Sequence, residues 1–476
     1  MKRATLQHGL RLKYNAAAVR FTPTEEALAQ ELFKLCVFNP YSAIRKKAQA
    51  ALQRTVRCLP SVKSQFVSEL IAVIDGKDTL PSQLKGALYT LKLKSLLSLC
   101  VKRWDHQLEF MTTLVRAQRE EKPSIQDLIR NIYVDFTLCF SPLQLGELTF
   151  TKEFENLALS LSSRRLEAHE LDRRRRLQTA RIEENAGYHR SILNSLSEVL
   201  TSAPHWRFEL MSAGFLHLVL RQEISTDAVT WFYNSLRNDL PQARRLAVNA
   251  VVQILYFLKC RARAGSTHLY KIDIPVPQPV TEVFEANFRA SISEPVTEEN
   301  QDRVLFVADL SVGWYSWPAS YQAYRPGKPY TEDKGFNVEH LRKLLNLSDF
   351  WRDFTGFLAQ ESTVGTTTTP FNSLNAQFFK SVFKHFEDEF LDKILPHLKA
   401  LCENSTDRGS QRAAAELIAG LCRGSKLWSL EKKKHLASLL GPLLTRTFED
   451  ITPDTLSDWN SALIFCLVSL HRLRLT

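Results

Sequence analysis

The chain has little glycine and proline for its length: 16 glycines and 19 prolines among 476 residues. Proteins built from many short strands need frequent turns, and disordered chains are usually rich in both residues, so this scarcity argues against either class. Hydrophobic residues make up 44% of the chain and charged residues 24%, which is the balance of a globular protein. The length is sufficient to bury a large core or to form several domains.

Long apolar runs are also missing. The longest mostly apolar run, Ala462–Leu470, is far shorter than the roughly 20 residues that a membrane-spanning helix needs. We therefore expect no membrane partner.

The cysteines form no recognisable metal or disulfide motif. No two are spaced as CxxC, and none pairs with a histidine at the spacing of a zinc site. Most lie among apolar neighbours, which predicts buried, reduced thiols of a cytosolic or nuclear protein. The eight residues are Cys36, Cys58, Cys100, Cys139, Cys260, Cys402, Cys422 and Cys466.

Catalytic motifs are absent from the sequence: there is no P-loop, no GxSxG and no HExxH. The twelve histidines are scattered, and we interpret His385 and His471 as ordinary helix residues. The acidic residues Glu387–Glu389, expected on a helix beside Lys384, are typical of a solvated face rather than of a general acid–base pair. The sequence therefore predicts a protein that is not an enzyme, with no catalytic residue and no metal ligand, and it assigns no cofactor-binding residue.

A short pattern recurs three times. A turn-forming residue is followed about five positions later by an arginine, and an alanine comes three residues after that. This pattern is typical of the start of the second helix in a HEAT-type helical pair. We expect the turn residue to cap the helix, the arginine to reach the turn of the neighbouring repeat, and the alanine to let two helices cross closely. The copies are 39–48, 239–247 and 407–415, with a weaker fourth at Leu84–Ala87 that uses Asp78 as its turn residue.

Nearly all of the chain has helical periodicity, which predicts an all-α, HEAT-like or armadillo-type helical-repeat solenoid. Periodicity is lost near residue 263, where prolines 275, 277 and 279 exclude a helix. We predict HEAT-like repeats over 1–262, an aromatic and proline-rich irregular insertion or crossing between two stacks over 263–337, and HEAT-like repeats over 338–476.

The net charge of +11 favours an acidic partner, although a basic but inert surface explains it equally well. Arg173–Arg176 could be a nuclear localisation signal or a contact for a polyanion. We favour a third interpretation, in which these residues form one face of a salt-bridged exposed helix, and we interpret Lys432–His435 in the same way. The aromatic residues of 314–324 could stack on nucleic-acid bases beside Arg325 and Lys328, but packing of a long loop is favoured. No motif for reading a DNA groove occurs, so nucleic acid is a disfavoured partner.

One stretch of the sequence indicates which kind of helical-repeat solenoid this is. Gln411–Trp428 resembles the proteasome activator complex subunit 4 family, whose corresponding stretch has the form QR…AE(I/L)(I/L)AGL(I)RGSKHW. Here Leu427 stands where the family usually has histidine, and Cys422 replaces a common aliphatic residue. Further similar segments follow the same order along most of the chain: Arg45–Gln49, Lys85–Tyr89, Gly313–Pro318, Pro442–Leu444, Ile451–Thr452 and Asp458–Trp459.

The resemblance implies a concrete function. Members of that family are very large HEAT-repeat solenoids that cap the 20S proteasome and promote ubiquitin-independent degradation. They are linked to acetylated histones, DNA repair and spermatogenesis, are found in nucleus and cytosol, and bind inositol phosphates at basic openings. We therefore expect a non-catalytic activator fragment whose partner is the 20S proteasome, with inositol phosphates as ligands by resemblance and no required cofactor.

Two features of the family cannot be carried over. The docking tail with a penultimate tyrosine has no counterpart in His471–Thr476, and the bromodomain-like region, through which acetylated histones would bind, has no counterpart either. We expect the chain to be a central-to-late piece of a longer protein. Two other functions stay open: a HEAT-repeat adaptor such as a nuclear transport receptor, and a basic nucleic-acid-binding solenoid.

Overall fold

The computed structural model describes residues 22–58, 62–140, 168–202, 205–220, 226–265, 271–275, 320–324, 336–360 and 370–472. Its helices are α1 Pro23–Val37, α2 Ser42–Cys58, α3 Lys63–Asp75, α4 Pro81–Leu91, α5 Lys94–Lys102, α6 Trp104–Arg116, α7 Pro123–Cys139, α8 Ala168–Ser202, α9 Trp206–Val219, α10 Thr226–Asn234, α11 Pro241–Gly265, α12 Val338–Leu345, α13 Ser348–Gln360, α14 Ser373–His385, α15 Leu391–Glu403, α16 Arg408–Gly424, α17 Leu430–Glu449 and α18 Pro453–Arg472. Short 3₁₀ turns follow α6, α10 and α16.

The chain forms two compact units, a helical unit from Met1–Leu255 and Asp333–Thr476 and a smaller unit from Tyr256–Glu332. In the smaller unit, strands β1 (Lys271–Pro275) and β2 (Ser320–Tyr324) pair antiparallel. This pair lies in the segment predicted to be irregular, and the all-α prediction is confirmed by the helices of the larger unit. The domain boundaries drawn at 262 and 337 stay predictions.

The last part of the helical unit shows how the repeats stack. Helix α16 packs against α14 on one side and α18 on the other, and these three form one layer. Helices α13, α15 and α17 form the second layer, in which α15 contacts both of its neighbours. Each helix buries its apolar stripe against helices of the adjacent pair, which is the arrangement of a helical-repeat solenoid.

The repeat pattern produces a local structure that the first two copies share. Arg45 Nη1 donates to the carbonyl oxygens of Asn39 (2.6 Å) and Pro40 (2.9 Å). Arg244 Nη1 donates to the carbonyl of Asn238 at 2.5 Å. For Arg45 the hydrogen bonds are local, so the expectation that it reaches the neighbouring repeat is wrong for that copy. Arg244 does reach a neighbouring helix, because its guanidinium carbon also lies 4.6 Å from the centre of the Phe357 ring on α13.

The alanines behave as the pattern predicts. Ala48, Ala247 and Ala415 are all buried. At the fourth, weaker copy the close approach uses Gly86, where an added Cβ atom would lie 2.4 Å from the Val37 carbonyl oxygen. Small residues near the start of these helices therefore let helix backbones come together.

Two predicted helices end differently in the structure. The periodicity of the sequence predicts a single helix over Leu84–Val101, but Leu93 takes a non-helical ψ of 125° and separates α4 from α5. The break lets Leu91 and Leu96 both become buried, although the periodicity of the sequence continues through it. The periodicity of the sequence predicts a helix over Ala376–Phe390 that carries Glu387–Glu389. In the structure α14 ends at His385, and Glu387–Glu389 lie in the following turn, where Glu387 has a φ of 53°.

Candidate functional site

The longest stretch of buried residues in the described chain is α16, which carries the Gln411–Trp428 motif. The helix begins at Asp407, whose carboxylate accepts from the backbone N–H groups of Gly409 (3.3 Å) and Ser410 (2.9 Å). This is the capping role predicted for the turn residue. A negative charge at this end also complements the helix dipole.

Glu416 is fully buried, and its carboxylate is held by donors from two helices. It accepts from Asn372 N at 2.7 Å, from Asn375 Nδ2 at 2.8 Å and from Arg412 Nη1 at 3.3 Å. Arg412, one turn earlier, is 2% exposed and also donates to the carbonyl of Leu358 at the end of α13. In this third copy the repeat arginine thus does reach a neighbouring helix, as the pattern predicted.

Two further buried side chains extend these contacts to α18. Asp458 accepts from Phe371 N at 2.8 Å and from Arg408 Nε at 3.2 Å. Gln411 Oε1 accepts from Trp459 Nε1 at 3.1 Å, while its Nε2 donates to three carbonyls at the end of α15. We call Gln411, Arg412, Glu416 and Asp458 the α16 polar network.

The α16 polar network joins α13, α14, α15 and α18 to α16. Each of its four side chains is buried from solvent, and the carboxylates are occupied by several donors. Such an arrangement cannot take part in chemistry on a solvent-borne substrate, but it fixes the relative positions of neighbouring helices. The sequence carried one signal of it: Arg412 and Glu416 are an i, i+4 pair inside an apolar stretch.

The α16 motif ends in a second buried contact. Trp428 Nε1 donates to the carbonyl of Phe383 on α14 at 2.9 Å, and its ring meets the Phe383 ring edge-on. Gly420 and Gly424 face the same helix, and a Cβ atom at Gly420 would lie 2.5 Å from the Ala376 carbonyl oxygen. The glycines of the motif are therefore explained by the closeness of α14.

Positive charge converges where α14 and α16 end. Burial first, and then the charges of Arg423 and Lys384, lower the pKa of Lys380 to about 8. The guanidinium carbon of Arg423 lies 4.3 Å from the centre of the Phe465 ring. We call Lys380, Lys384 and Arg423 the Lys380 cluster. The sequence does not single it out, because Arg423 lies 43 residues after Lys380 and only the fold brings them together.

The basic segments that the sequence did single out include exposed and ion-paired residues. Arg173 and Arg176 are exposed on the polar first half of α8. Lys432 forms ion pairs with Glu387 (2.5 Å) and Asp388 (2.7 Å), and these bonds raise its pKa above the usual range. For Lys432 the salt-bridged interpretation is confirmed.

Most of the aromatic segment lies outside the described residues. Trp314, Tyr315 and Trp317 lie outside the described residues, as do Arg325 and Lys328. Tyr321 and Tyr324 lie on β2, opposite Ile274 and Lys271. The nucleic-acid interpretation of these residues stays untested.

A cleft of about 370 Å³ lies between α13, α15 and α16. Arg352, Thr355 and His397 line it, and burial together with the charge of Arg352 lowers the pKa of His397. No group of three or more His, Cys, Asp or Glu side chains that could hold a metal ion occurs within the described part of the chain. No helix in that part is long and apolar enough to cross a bilayer.

Comparison with known proteins gives one consistent result. Residues 227–474, just over half of the chain, match the family model described as proteasome activator complex subunit 4-like, HEAT repeat-like. The chain is 29% identical over 497 residues to proteasome activator complex subunit 4B of Danio rerio and 28% identical over 507 residues to proteasome activator complex subunit 4 of Homo sapiens. These matches cover 96% and 97% of this chain.

The chain spans about a quarter (26%) of the length of those two relatives. A more distant relative, proteasome activator BLM10 of Saccharomyces cerevisiae, is 26% identical over 181 residues, which cover 36% of this chain and 8% of that protein. Among solved structures, importin beta is matched over 93% of this chain and 49% of that chain, at 12% identity and a TM-score of 0.31, a likeness too low to support an argument.

Proposed function

We propose a function from one premise, which is that this chain belongs to the proteasome activator complex subunit 4-like, HEAT-repeat family. The proposed function is that the chain supplies a section of the helical wall of a proteasome activator. The observation that carries this proposal is the family match over 227–474, which contains the whole α16 polar network. A wall made of stacked helices acts by holding and shaping a partner. The proposed role is therefore that of a non-catalytic regulator.

In finer detail, we propose that the activator caps the 20S proteasome and promotes ubiquitin-independent degradation in nucleus and cytosol. Acetylated histones are the proposed class of substrate, and DNA repair and spermatogenesis are the proposed settings. The family resemblance is the support for each of these. Regions outside this chain would have to bind the acetylated histones.

Retention of purified 20S proteasome tests the proposal. The chain, and any longer protein that its transcript encodes, would be immobilised and compared with an unrelated helical-repeat protein of equal size. We expect weak retention by the chain and stronger retention by a longer version, together with faster cleavage of a fluorogenic peptide by the bound proteasome. Retention no greater than that of the unrelated protein, by either version, would overturn the proposal.

We also propose that a polyanion such as an inositol phosphate binds at the Lys380 cluster. The support is that three cations lie close together there: burial first, and then the charges of Arg423 and Lys384, lower the pKa of Lys380, and a phosphate group would place opposite charge among them. Inositol hexakisphosphate should raise the midpoint of thermal unfolding, and Lys380→Gln should reduce that rise more than Lys433→Gln on the exposed face of α17. Equal rises for the two variants would contradict this site.

A further inference from the structure

Two cysteines from neighbouring helices meet beside Arg423. Cys422 lies near the end of α16 and Cys466 on α18, and their thiols are hydrogen-bonded to each other. Cys466 Sγ lies 3.9 Å from the carbonyl oxygen of Ala419, three residues before Cys422. The packing of α18 on α16 therefore places the two sulfur atoms side by side, although 43 residues separate them in the chain.

The two thiols differ in reactivity. The hydrogen bond from Cys422 and the charge of Arg423 lower the pKa of Cys466, against the opposing effect of burial. The same bond raises the pKa of Cys422, because its proton is held between the two sulfurs. Cys466 is thus the thiol that ionises first, and the thiolate is the nucleophilic form.

Exposure to solvent distinguishes this pair from the fully buried thiols of the chain. Cys422 is exposed and Cys466 is partly exposed. Cys36 and Cys100 are fully buried, and burial raises the pKa of each to about 12. Cys139 is exposed like Cys422, but it lies at the end of α7 rather than on α16 or α18.

We propose that Cys422 and Cys466 form a reactive dithiol that small disulfides, such as oxidised glutathione, convert into an intramolecular disulfide joining α16 to α18. The Cys466 thiolate attacks one sulfur of glutathione disulfide, forms a mixed disulfide and releases one glutathione thiolate. Cys422 then gives its proton to a released thiolate and attacks the Cys466 sulfur, which expels the second glutathione. Two protein thiols are oxidised, one glutathione disulfide is reduced to two glutathione molecules, and atoms and electrons balance.

The surroundings suit this reaction. Glutathione disulfide is an anion at neutral pH, and Arg423, the residue after Cys422, supplies a positive charge that acts on Cys466. The new bond would cross-link two adjacent helical pairs of the stack and close a loop of more than forty residues. Closure of a loop of that size restricts the unfolded chain, so the oxidised form should unfold at a higher temperature than the reduced form.

The test is to treat the full chain with glutathione disulfide at pH 7.5 and follow it by intact mass and by mapping of proteolytic peptides. We expect the wild-type chain to lose two hydrogen atoms and to give a cross-linked Cys422–Cys466 peptide. Cys422→Ser should instead accumulate glutathione on Cys466, because the resolving thiol is missing. Cys466→Ser should react slowly, since the remaining thiol has a raised pKa.

Cys139→Ser is the matched control and should cross-link like the wild-type chain. Far-ultraviolet circular dichroism of each variant shows whether it has folded, and Cys422→Ala offers a second form of the resolving-thiol variant. A wild-type chain in which Cys466 takes up glutathione no faster than Cys139 would overturn the proposal. So would Cys422 variants that are folded and carry no adduct on Cys466.

Discussion

Glu416 shows how a single buried charge can hold several repeats together. Its carboxylate accepts hydrogen bonds from the backbone of Asn372, the side chain of Asn375 and the guanidinium of Arg412. A buried ion pair of this kind adds little net stability over an apolar pair, but loss of one partner leaves the other charge uncompensated. The α16 polar network should therefore be sensitive to changes that remove one charge and keep the size.

Glu416→Gln should lower the free energy of unfolding by about 3 kcal/mol, because it leaves Arg412 without its counter-charge and turns an amide NH₂ toward other donors. Urea unfolding monitored by circular dichroism measures the effect. Glu431→Gln, an exposed residue at the start of α17, is the control and should change the free energy by less than about 0.5 kcal/mol. Equal effects for the two variants would show that the network does not stabilise the stack.

His217 on α9 gives a pH dependence of known sign. Burial lowers its pKa to about 4, below the ordinary value of about 6.5 that holds in the unfolded chain. As the pH falls from 6.5 to 4, the unfolded chain takes up a proton on His217 and the folded chain does not. The neutral ring therefore supports folding above pH 6.5, and that support is lost through this window.

The wild-type chain should lose about 2 kcal/mol more stability than His217→Gln between pH 7 and pH 4.5, since part of the ring keeps contact with solvent and moderates the effect. Urea midpoints at the two pH values measure it. His435→Gln, on an exposed face of α17, should keep the pH dependence of the wild-type chain. If His217→Gln retains it as well, burial of His217 is not the cause.

At the scale of the element, helices α14 and α16 cross closely. An added Cβ atom at Gly420 would lie 2.5 Å from both the Ala376 carbonyl oxygen and the Phe379 Cβ atom. Neither neighbour is the far end of a flexible side chain, so the helices themselves would have to separate. By contrast, a Cβ atom at Gly187 on α8 would meet nothing within 4 Å.

Gly420→Ala and Gly187→Ala should therefore change stability in opposite directions. Gly420→Ala should cost about 2 kcal/mol through overpacking, while Gly187→Ala should gain up to about 1 kcal/mol because alanine favours the helix. Thermal and urea unfolding of the two variants provide the comparison. A gain in stability at Gly420 would mean that α14 and α16 are not as close as the structure has them.

Sequence patterns predicted the existence of these helices better than their ends. Periodicity and the turn residue Asp407 predict a helix over Arg408–Leu421, and the observed helix α16 ends three residues later, at Gly424. The break at Leu93 has no proline or glycine to mark it, and Leu91 and Leu96 on either side of it are both buried. Likewise, the local sequence did not show that Arg45 and Arg412 would bind different partners, since the partners depend on how deeply each arginine is buried.

At the scale of the whole molecule, the helical unit continues across the segment that interrupts it in sequence. Helix α10 packs against α12, although about one hundred residues separate them. Tyr233 Oη donates to the carbonyl of Phe336 at 2.7 Å, and Arg237 forms an ion pair with Asp353 on α13. These contacts lie wholly inside the helical unit, so its stack should form without residues 266–335.

Replacement of residues 266–335 by a linker of about 20 glycine and serine residues tests this. Such a linker spans on the order of 25 Å and leaves α11 and α12 free to take their positions. We expect a soluble chain whose α-helical signal unfolds in urea at the midpoint of the full chain. Tyr233→Phe should then lower the free energy of unfolding by about 1–2 kcal/mol in both the full and the shortened chain, because loss of the hydroxyl removes this donor from the Phe336 carbonyl.

The Tyr233→Phe comparison makes the outcome specific to the junction between α10 and α12. If the shortened chain folded but Tyr233→Phe had no effect in it, the two sides of the stack would have folded without meeting, and the interrupted segment would be required for their contact. If the cost is the same in both versions, the stack is continuous through α10 and α12. The repeats before and after the interruption would then form one uninterrupted section of helical wall, as the proposed activator role requires.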